Sequence, residues 1–280
     1  MKIEHTRVGA TAREVVGKPI IVPLANDGQL LVHQIGHSPD SRAEVLLFAS
    51  LGRESSDFNE LAVALSKNGF AVSLVEAPYI HGAVPSRENP SLFDLAEDIG
   101  AYLSTCTQPV FVLGHAFGNR LARATATRFP DQGNGVVVIA AGGLKPIDAK
   151  AVEALLNCFN DELSAEEHQS AVRFGFFAGA NVIPEYWLRG WHKQTADIQR
   201  RATRMVQSED WWGAGEKPML VIAAMNDTIA PPQDTIDLLE REFSDRVSAV
   251  RIADAGHALL PEKPKEIAAA ILDWLNKALD

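Results

Sequence analysis

Hydrophobic residues along the chain form short continuous runs that alternate with longer amphipathic stretches. Four runs are apolar throughout, as expected for strands covered on both faces of a sheet: Val45-Leu46-Leu47-Phe48, Val110-Phe111-Val112-Leu113, Val136-Val137-Val138-Ile139 and Met219-Leu220-Val221-Ile222. The alternation of such runs with helical patterns predicts an α/β fold, with a mostly parallel central sheet and helices on both faces.

A helix is predicted between the first two of these strands. It begins at Asp57, whose carboxylate would cap it while Glu60 completes a capping box. Phe58, Leu61 and Leu65 then fall on one stripe that would face the sheet.

Further strands are predicted on either side of this central set. Residues 70–75 form a strand-like run, and residues 20–22 and 30–33 form an opening hairpin in which Asp27-Gly28 supplies the positive φ angles. Near the end, residues 247–252 are predicted as the last strand. A terminal amphipathic helix follows them, marked by Ile267, Ile271 and Leu275.

The alternation stops between residues 145 and 216, where helical patterning passes without a convincing strand. Four of the five tryptophans lie in this segment: Trp187, Trp191, Trp211 and Trp212. We therefore divide the chain into a core, residues 1–144 and 217–280, and a helical cap, residues 145–216, inserted after the sixth strand. The aromatic side chains would line an apolar pocket or fill a small core of the segment itself, and exposed tryptophans would equally suit a homodimer interface.

Composition narrows the classes of partner. The 280 residues are 46% apolar and 22% charged, enough for one large domain with an insertion. A formal charge of −10 disfavours nucleic acid and anionic lipid surfaces. Charged side chains, Glu4 and Arg7 among them, interrupt any apolar leader in residues 1–30, and no later run is long enough for a membrane helix. We predict a cytoplasmic protein that acts on a small-molecule substrate.

The two cysteines, Cys106 and Cys158, are too few for a disulfide framework and lack the spacing of metal ligands. The sequence therefore predicts reduced thiols, no metal site and no cofactor.

The string Gly114-His115-Ala116-Phe117-Gly118 follows a predicted strand and opens a predicted helix. Flanking glycines allow the strand and the helix to approach each other at a sharp turn whose central residue is strained. The backbone amide of Phe117 would then point into the site and could stabilise an oxyanion.

This string resembles the G-x-S-x-G elbow of the α/β-hydrolase superfamily, with Ala116 at the position of the nucleophilic serine. Residues 224–231 resemble the loop that delivers the family's acid, at Asp227, and residues 254–257 resemble the loop that delivers its base, at His257. The resemblance covers nearly the whole chain, and the order 116, 227, 257 is the order of this fold. It implies an α/β-hydrolase fold with a His-Asp dyad.

The resemblance also implies a second oxyanion amide, on Leu51, because residues 48–53 stand where the family has His-Gly. Ser50 replaces that glycine, and its hydroxyl would either enter the site or bond to its own loop. We list Ser50 among the candidate substrate contacts and not as a nucleophile.

Three explanations fit Ala116: a natural family without the serine, a non-catalytic descendant, and an engineered knock-out. The stretch resembles bacterial members with G-H-A-[FY]-G, including aminoacrylate hydrolases, which add water without a covalent intermediate. The resemblance thus implies a hydrolase in which the dyad activates water. Cofactor-free dioxygenases of this fold and a non-catalytic ligand-binding protein are the alternatives.

Five further residues are candidate substrate contacts because of their position relative to the predicted carboxyl edge or cap: His81, His115, Trp187, Trp191 and His192. Each also has a structural interpretation. For His115, which neighbours the elbow, packing against the sheet or bonding to backbone is the main alternative.

Overall fold

A computed structural model describes residues 9–280 of the chain; Glu4 and Arg7 lie outside the described residues. Within this range one eight-stranded sheet has the order β1-β2-β4-β3-β5-β6-β7-β8. Its strands are β1 (Lys18–Pro23), β2 (Gln29–Ile35), β3 (Glu44–Phe48), β4 (Ala71–Val75), β5 (Val110–His115), β6 (Gly135–Ile139), β7 (Met219–Ala224) and β8 (Val247–Ile252).

The described residues also form ten α-helices and three short 3-10 helices. The α-helices are α1 (Asn59–Lys67), α2 (Leu92–Leu103), α3 (Phe117–Arg128), α4 (Ala149–Asn157), α5 (Ala165–Phe176), α6 (Lys193–Arg204), α7 (Glu209–Trp212), α8 (Ile236–Glu242), α9 (Leu259–Glu262) and α10 (Pro264–Leu279). The 3-10 helices are Ser55–Phe58, Glu185–Leu188 and Pro232–Asp234.

The sheet is mostly parallel, as the apolar runs predict. β1 pairs antiparallel with β2, and β2 pairs antiparallel with β4. All other neighbouring strands are parallel, from β4 through to β8. Because parallel strands end at a common edge, the loops that follow β3, β5, β7 and β8 meet there, and ligands bind at this edge in open α/β sheets. These observations confirm the predicted α/β-hydrolase fold.

Hydrophobic side chains cover both faces of the sheet. In β6, Val136 and Val138 belong to one buried cluster, whereas Val137 and Ile139 belong to the other. Successive residues of a strand point to opposite faces, so a continuously apolar run fills both layers. α10 packs its apolar stripe, including Ile271, into the second cluster.

The helix predicted from Asp57 begins later. Asp57 lies in a 3-10 helix, and α1 starts at Asn59. The Asp57 carboxylate does not cap a helix, because it accepts hydrogen bonds from the Arg53 guanidinium at 2.6 and 2.8 Å. Glu60 pairs with Arg13 and completes no capping box. A buried arginine thus takes the carboxylate that the local pattern assigns to the helix terminus.

The opening hairpin forms, but its turn is shifted by one residue. Asn26 and Asp27 have the positive φ angles, 53° and 58°, and Gly28 does not. The Gly28 amide donates to the Ala25 carbonyl at 3.0 Å. The two central residues of the turn are therefore Asn26 and Asp27, residue types that tolerate this conformation.

Helices α4 to α7 lie between β6 and β7, within the segment predicted as a cap. Aromatic residues of this segment, Phe159, Phe176, Phe177, Trp187 and Trp191, form a third buried cluster with Ile229 and Ala258, whereas Trp211 and Trp212 belong to the first cluster. The division of the chain into core and cap stays a prediction.

The described residues contain neither a membrane-spanning helix nor a cluster of metal ligands. No helix within residues 9–280 is both long and apolar enough to cross a membrane. In the same range, His, Cys, Asp and Glu side chains form no group of three or more that could hold a metal ion.

Candidate active site

Ala116 occupies a strained elbow between β5 and α3. Its φ and ψ are 51° and −110°, a conformation that residues with a side chain rarely adopt. A Cβ on Gly118 would lie 1.9 Å from the Phe48 carbonyl oxygen, and one on Gly114 would lie 2.0 Å from the Gly118 backbone. Both glycines are therefore required by close backbone packing at the elbow.

His257 and Asp227 form a buried hydrogen-bonded pair. His257 Nδ1 lies 2.8 Å from Asp227 Oδ2, and each residue is at most 5% exposed. The other carboxylate oxygen, Oδ1, accepts hydrogen bonds from the amides of Ile229 at 2.9 Å and Ala230 at 2.8 Å. These contacts fix the carboxylate, which in turn orients the imidazole. With Nδ1 turned towards Asp227, Nε2 is the ring nitrogen available to the cavity.

Ala116 and His257 line the same cavity, which has a volume of about 310 Å³. Ser50, Leu51 and Phe117 also line it. Five of the predicted site residues therefore surround one space, at the low end of the roughly 300–1,000 Å³ typical of ligand pockets. Asp227 stands behind His257 and does not line the cavity.

The backbone amides of Leu51 and Phe117 are free to bind a ligand oxygen. No hydrogen bond from either amide is found to another described backbone group or side chain. Phe117 is the first residue of α3, so its amide is one of those that a helix leaves unpaired. Two unpaired amides at one cavity can stabilise negative charge on a substrate oxygen.

His115 contacts the backbone of His257 and does not line the cavity, although the sequence analysis names it as a candidate substrate contact. Its Nε2 donates a hydrogen bond to the His257 carbonyl oxygen at 2.7 Å. Complete burial, with a further contribution from His257, lowers the pKa of His115 to about 3, so the ring is neutral at neutral pH. His115 therefore positions the loop that carries the base.

His81 and His192 are also outside the cavity wall. His81 Nδ1 lies 3.1 Å from the Glu76 carboxylate, a hydrogen bond that raises the pKa of this imidazole. His192 Nε2 lies 2.8 Å from the Glu54 carboxylate. Both glutamates are buried, so each histidine satisfies a carboxylate that water cannot reach.

None of the four tryptophans of the predicted cap lines this cavity, and the role of Trp187 and Trp191 as substrate contacts stays a prediction. Trp187 and Trp191 flank the Arg53 guanidinium, each with its ring centroid 4.6 Å away. Trp211 and Trp212 flank the guanidinium of Arg123 in the same way, at 4.7 and 4.5 Å. The four indoles are buried rather than exposed. Their attraction to desolvated cations accounts for their position.

The cavity wall includes charged residues that the sequence reasoning missed. Three arginines and one lysine line it, together with one carboxylate among the described residues: Arg120, Arg200, Arg204, Lys145 and Asp234. Arg120 could have been found from the sequence, because it follows Ala116 by four residues and so lies one helical turn along α3. The other four residues come from the segment between β6 and β7 and from the loop after β7. The sequence does not determine the directions of their side chains.

Comparison with known proteins identifies the family of the chain. A profile described as the alpha/beta hydrolase family matches residues 30–270. A comparison with curated protein sequences finds no significant match.

Solved structures share the fold at low sequence identity. A hydrolase from Pseudomonas aeruginosa is 19% identical with a TM-score of 0.74, covering 93% of this chain and 99% of its own. E-2-(acetamidomethylene)succinate hydrolase is 17% identical with a TM-score of 0.72, covering 94% and 100%. A carboxylesterase from Bacillus subtilis is 14% identical with a TM-score of 0.71, covering 94% and 93%. At this identity the likeness establishes the fold alone.

Proposed function

The chain belongs to the alpha/beta hydrolase family, and on that premise we propose that it hydrolyses a small organic substrate with a His257–Asp227 dyad that activates water. An ester, an amide or a related C–N or C–C bond would be cleaved. Residue 116 would mark the position of attack without supplying a nucleophile.

One observation carries this proposal. The 2.8 Å contact between His257 Nδ1 and Asp227 Oδ2 fixes the ring so that Nε2 is available to the cavity that Ala116 lines. A neutral imidazole held in this tautomer can accept a proton at Nε2, and the carboxylate stabilises the imidazolium that forms.

The proposed reaction follows from these positions. A water molecule beside the Ala116 methyl group transfers a proton to His257 Nε2, and its oxygen forms a bond to the substrate carbonyl carbon. The Leu51 and Phe117 amides hold the resulting oxyanion. When the intermediate collapses, the bond to the leaving group breaks and the leaving group takes the proton from His257 Nε2. The carboxylic acid and the leaving group are released.

Ala116 excludes one route through this site. Its methyl group can neither attack a carbonyl nor lose a proton, so no acyl-enzyme forms at residue 116. The space that a serine hydroxyl would occupy is open to water instead, which favours direct hydration of the substrate.

We further propose that residues 145–216 act as a cap. Ile147, Leu155, Phe176 and Thr203, all from this segment, line the cavity opposite the sheet edge. The cavity volume of about 310 Å³ suits a small substrate.

The test uses a panel of p-nitrophenyl esters of short organic acids. We expect steady hydrolysis without an initial burst and without a covalent adduct in the mass spectrum of the protein during turnover. His257→Gln should abolish hydrolysis. His37→Gln is the matched control, because His37 pairs with Glu44 at the start of β3, away from the carboxyl edge of the sheet.

Other outcomes would contradict the proposal. Oxygen uptake without ester hydrolysis, lost in His257→Gln, would indicate a cofactor-free oxygenase. Equal activity of wild type and His257→Gln would place the chemistry elsewhere. Ligand binding without turnover of any substrate would indicate a binding protein.

A further inference from the structure

The cavity wall carries an excess of positive charge that water activation does not use. Asp234 is the one carboxylate among the described residues that line it. Four cationic side chains also line it: Arg120, Lys145, Arg200 and Arg204. The whole chain has a formal charge of −10. The charge of the cavity is therefore opposite to that of the molecule, as a binding site for an anion requires.

Arg120 is only partly exposed and has no partner among the described residues, whereas the other unpaired cations of the cavity wall, Arg204 and Lys145, are exposed to solvent. Among residues 9–280 Arg120 makes no hydrogen bond or ion pair with another side chain or backbone group. Arg200, in contrast, pairs with Asp197. Arg123, one turn further along α3, donates to the Asn119 side chain and to the Gly142 carbonyl oxygen. Arg120 is thus the cation of the cavity wall whose free donors are partly shielded from solvent.

The surrounding loop fixes where the Arg120 side chain lies. A Cβ added to Gly143 would lie 3.3 Å from Arg120 Nε, and one added to Gly142 would lie 4.0 Å from Nη2. The two glycines after β6 therefore leave room for the guanidinium against the backbone. Arg120 lines the cavity, and no described group accepts a hydrogen bond from its guanidinium, so its donors are available to a ligand there.

The charge of the Arg120 guanidinium is energetically unfavourable at this position when no anion is bound. Desolvation lowers the pKa of its guanidinium to about 10, and no carboxylate offsets this loss. The group still carries its full charge at neutral pH. A partly desolvated cation without a counter-ion is disfavoured, and an anionic ligand offsets that cost. The planar fork of a guanidinium matches a carboxylate through two parallel N–H···O bonds.

We infer that Arg120 is the anchor for a carboxylate of the substrate. The cleaved bond would then lie beside Ala116, and the carboxylate would lie about one helical turn away, roughly 5 Å along α3. The substrate class is therefore a small organic acid that also carries an ester or amide. The presence of an ester or amide in the substrate rests on the proposed hydrolytic function. Binding of the substrate carboxylate to Arg120 requires no turnover.

The experiment compares an acid with its neutral isostere. 4-Phenylbutyrate and 4-phenylbutyramide have the same apolar group and differ in charge. Titration calorimetry with the wild-type protein should give at least about tenfold tighter binding for the acid, the size of one charge-assisted hydrogen bond.

Three variants locate the charge responsible. Arg120→Gln should reduce the affinity for the acid to that for the amide. Arg120→Lys should keep part of the preference, because it retains the charge and loses the fork. Arg128→Gln is the matched control, since Arg128 is an exposed arginine on the same helix that pairs with Glu97 at 2.7 Å. It should bind the acid as the wild type does.

Inorganic phosphate is titrated separately. Phosphate that binds through Arg120 where 4-phenylbutyrate does not would overturn the assignment to a carboxylate. Equal affinity for acid and amide, or absence of binding by the acid, would overturn the anion subsite. A folded Arg120→Gln variant that still binds the acid more tightly than the amide would also overturn the anion subsite.

Two further measurements keep the outcomes separate. If Arg120→Gln does not fold, the ¹⁵N–¹H resonance of Arg120 Nε in the wild type is followed instead, and it should shift with the acid but not with the amide. His257→Gln should still bind the acid. A protein that binds the acid through Arg120 but hydrolyses no ester would refute the proposed hydrolysis and leave the carboxylate subsite in place.

Discussion

Replacing Asp227 with asparagine tests how the carboxylate controls His257. Asp227 Oδ1 accepts from two amides, at 2.9 and 2.8 Å, and Oδ2 faces His257 Nδ1 at 2.8 Å. In Asp227→Asn the amide oxygen can keep both backbone contacts, and the amide nitrogen then faces Nδ1. An NH₂ group can only donate there, so the imidazole must accept at Nδ1 and carry its proton on Nε2. The base is then in the wrong tautomer.

The expected loss is large in rate and small in stability. Loss of the correct tautomer and of the charge should lower kcat roughly 10⁴-fold, equivalent to about 5.5 kcal/mol of activation free energy. The number of hydrogen bonds at residue 227 is unchanged, so the free energy of unfolding should fall by only about 1 kcal/mol.

The assay measures kcat on the best ester of the panel and the free energy of unfolding in urea for the same samples. Asp254→Asn is the matched control. Asp254 is an exposed carboxylate three residues from His257, and its φ of 51° suits asparagine equally well. It should leave kcat unchanged. An Asp227→Asn protein that is folded and retains wild-type kcat would refute the role assigned to the carboxylate.

Two further predictions concern the framework of the site. The folded-state pKa of His115 is about 3, below its ordinary value of 6.5, so its contribution to stability is complete above pH 6.5 and falls as the pH drops towards 3. His115→Gln can keep the hydrogen bond to the His257 carbonyl oxygen. The free energy of unfolding of this variant should fall less steeply than that of the wild type as the pH drops over this range. An equally steep fall in both proteins would contradict the burial of a neutral ring. Gly118→Ala places a Cβ 1.9 Å from the Phe48 carbonyl oxygen and should destabilise the protein by about 3 kcal/mol or more. Gly133→Ala, which has open space for a Cβ, should remain near wild type, and equal stability of the two variants would contradict the close packing of the elbow.

The sequence predicts the sheet and the order of the site because these depend on local patterns. Strands covered on both faces must be apolar throughout, as in residues 136–139, and the glycines at 114 and 118 reflect backbone contacts with no alternative residue. Parallel strands then bring the loops that carry Asp227 and His257 to one edge. The sequence analysis did not single out Arg120, although its helical spacing from Ala116 could have identified it.

The sequence does not predict the directions of side chains between β6 and β7. Trp187 and Trp191 turn towards Arg53, a residue more than 130 positions earlier in the chain, and His192 turns towards Glu54. Such contacts depend on tertiary packing and on desolvated charges, which a periodic pattern does not encode. The same limit applies to Asp57, whose partner is also Arg53.

The central claim is that residue 116 faces a working base and two oxyanion donors. Ala116→Ser tests it directly, because the new hydroxyl would stand at the elbow beside His257. We expect intact-mass spectrometry to find a fluorophosphonate adduct on residue 116 in this variant, and none in the wild type or in Ala116→Ser combined with His257→Ala. A folded Ala116→Ser protein that takes up no label, or that is labelled equally well without His257, would contradict the claim.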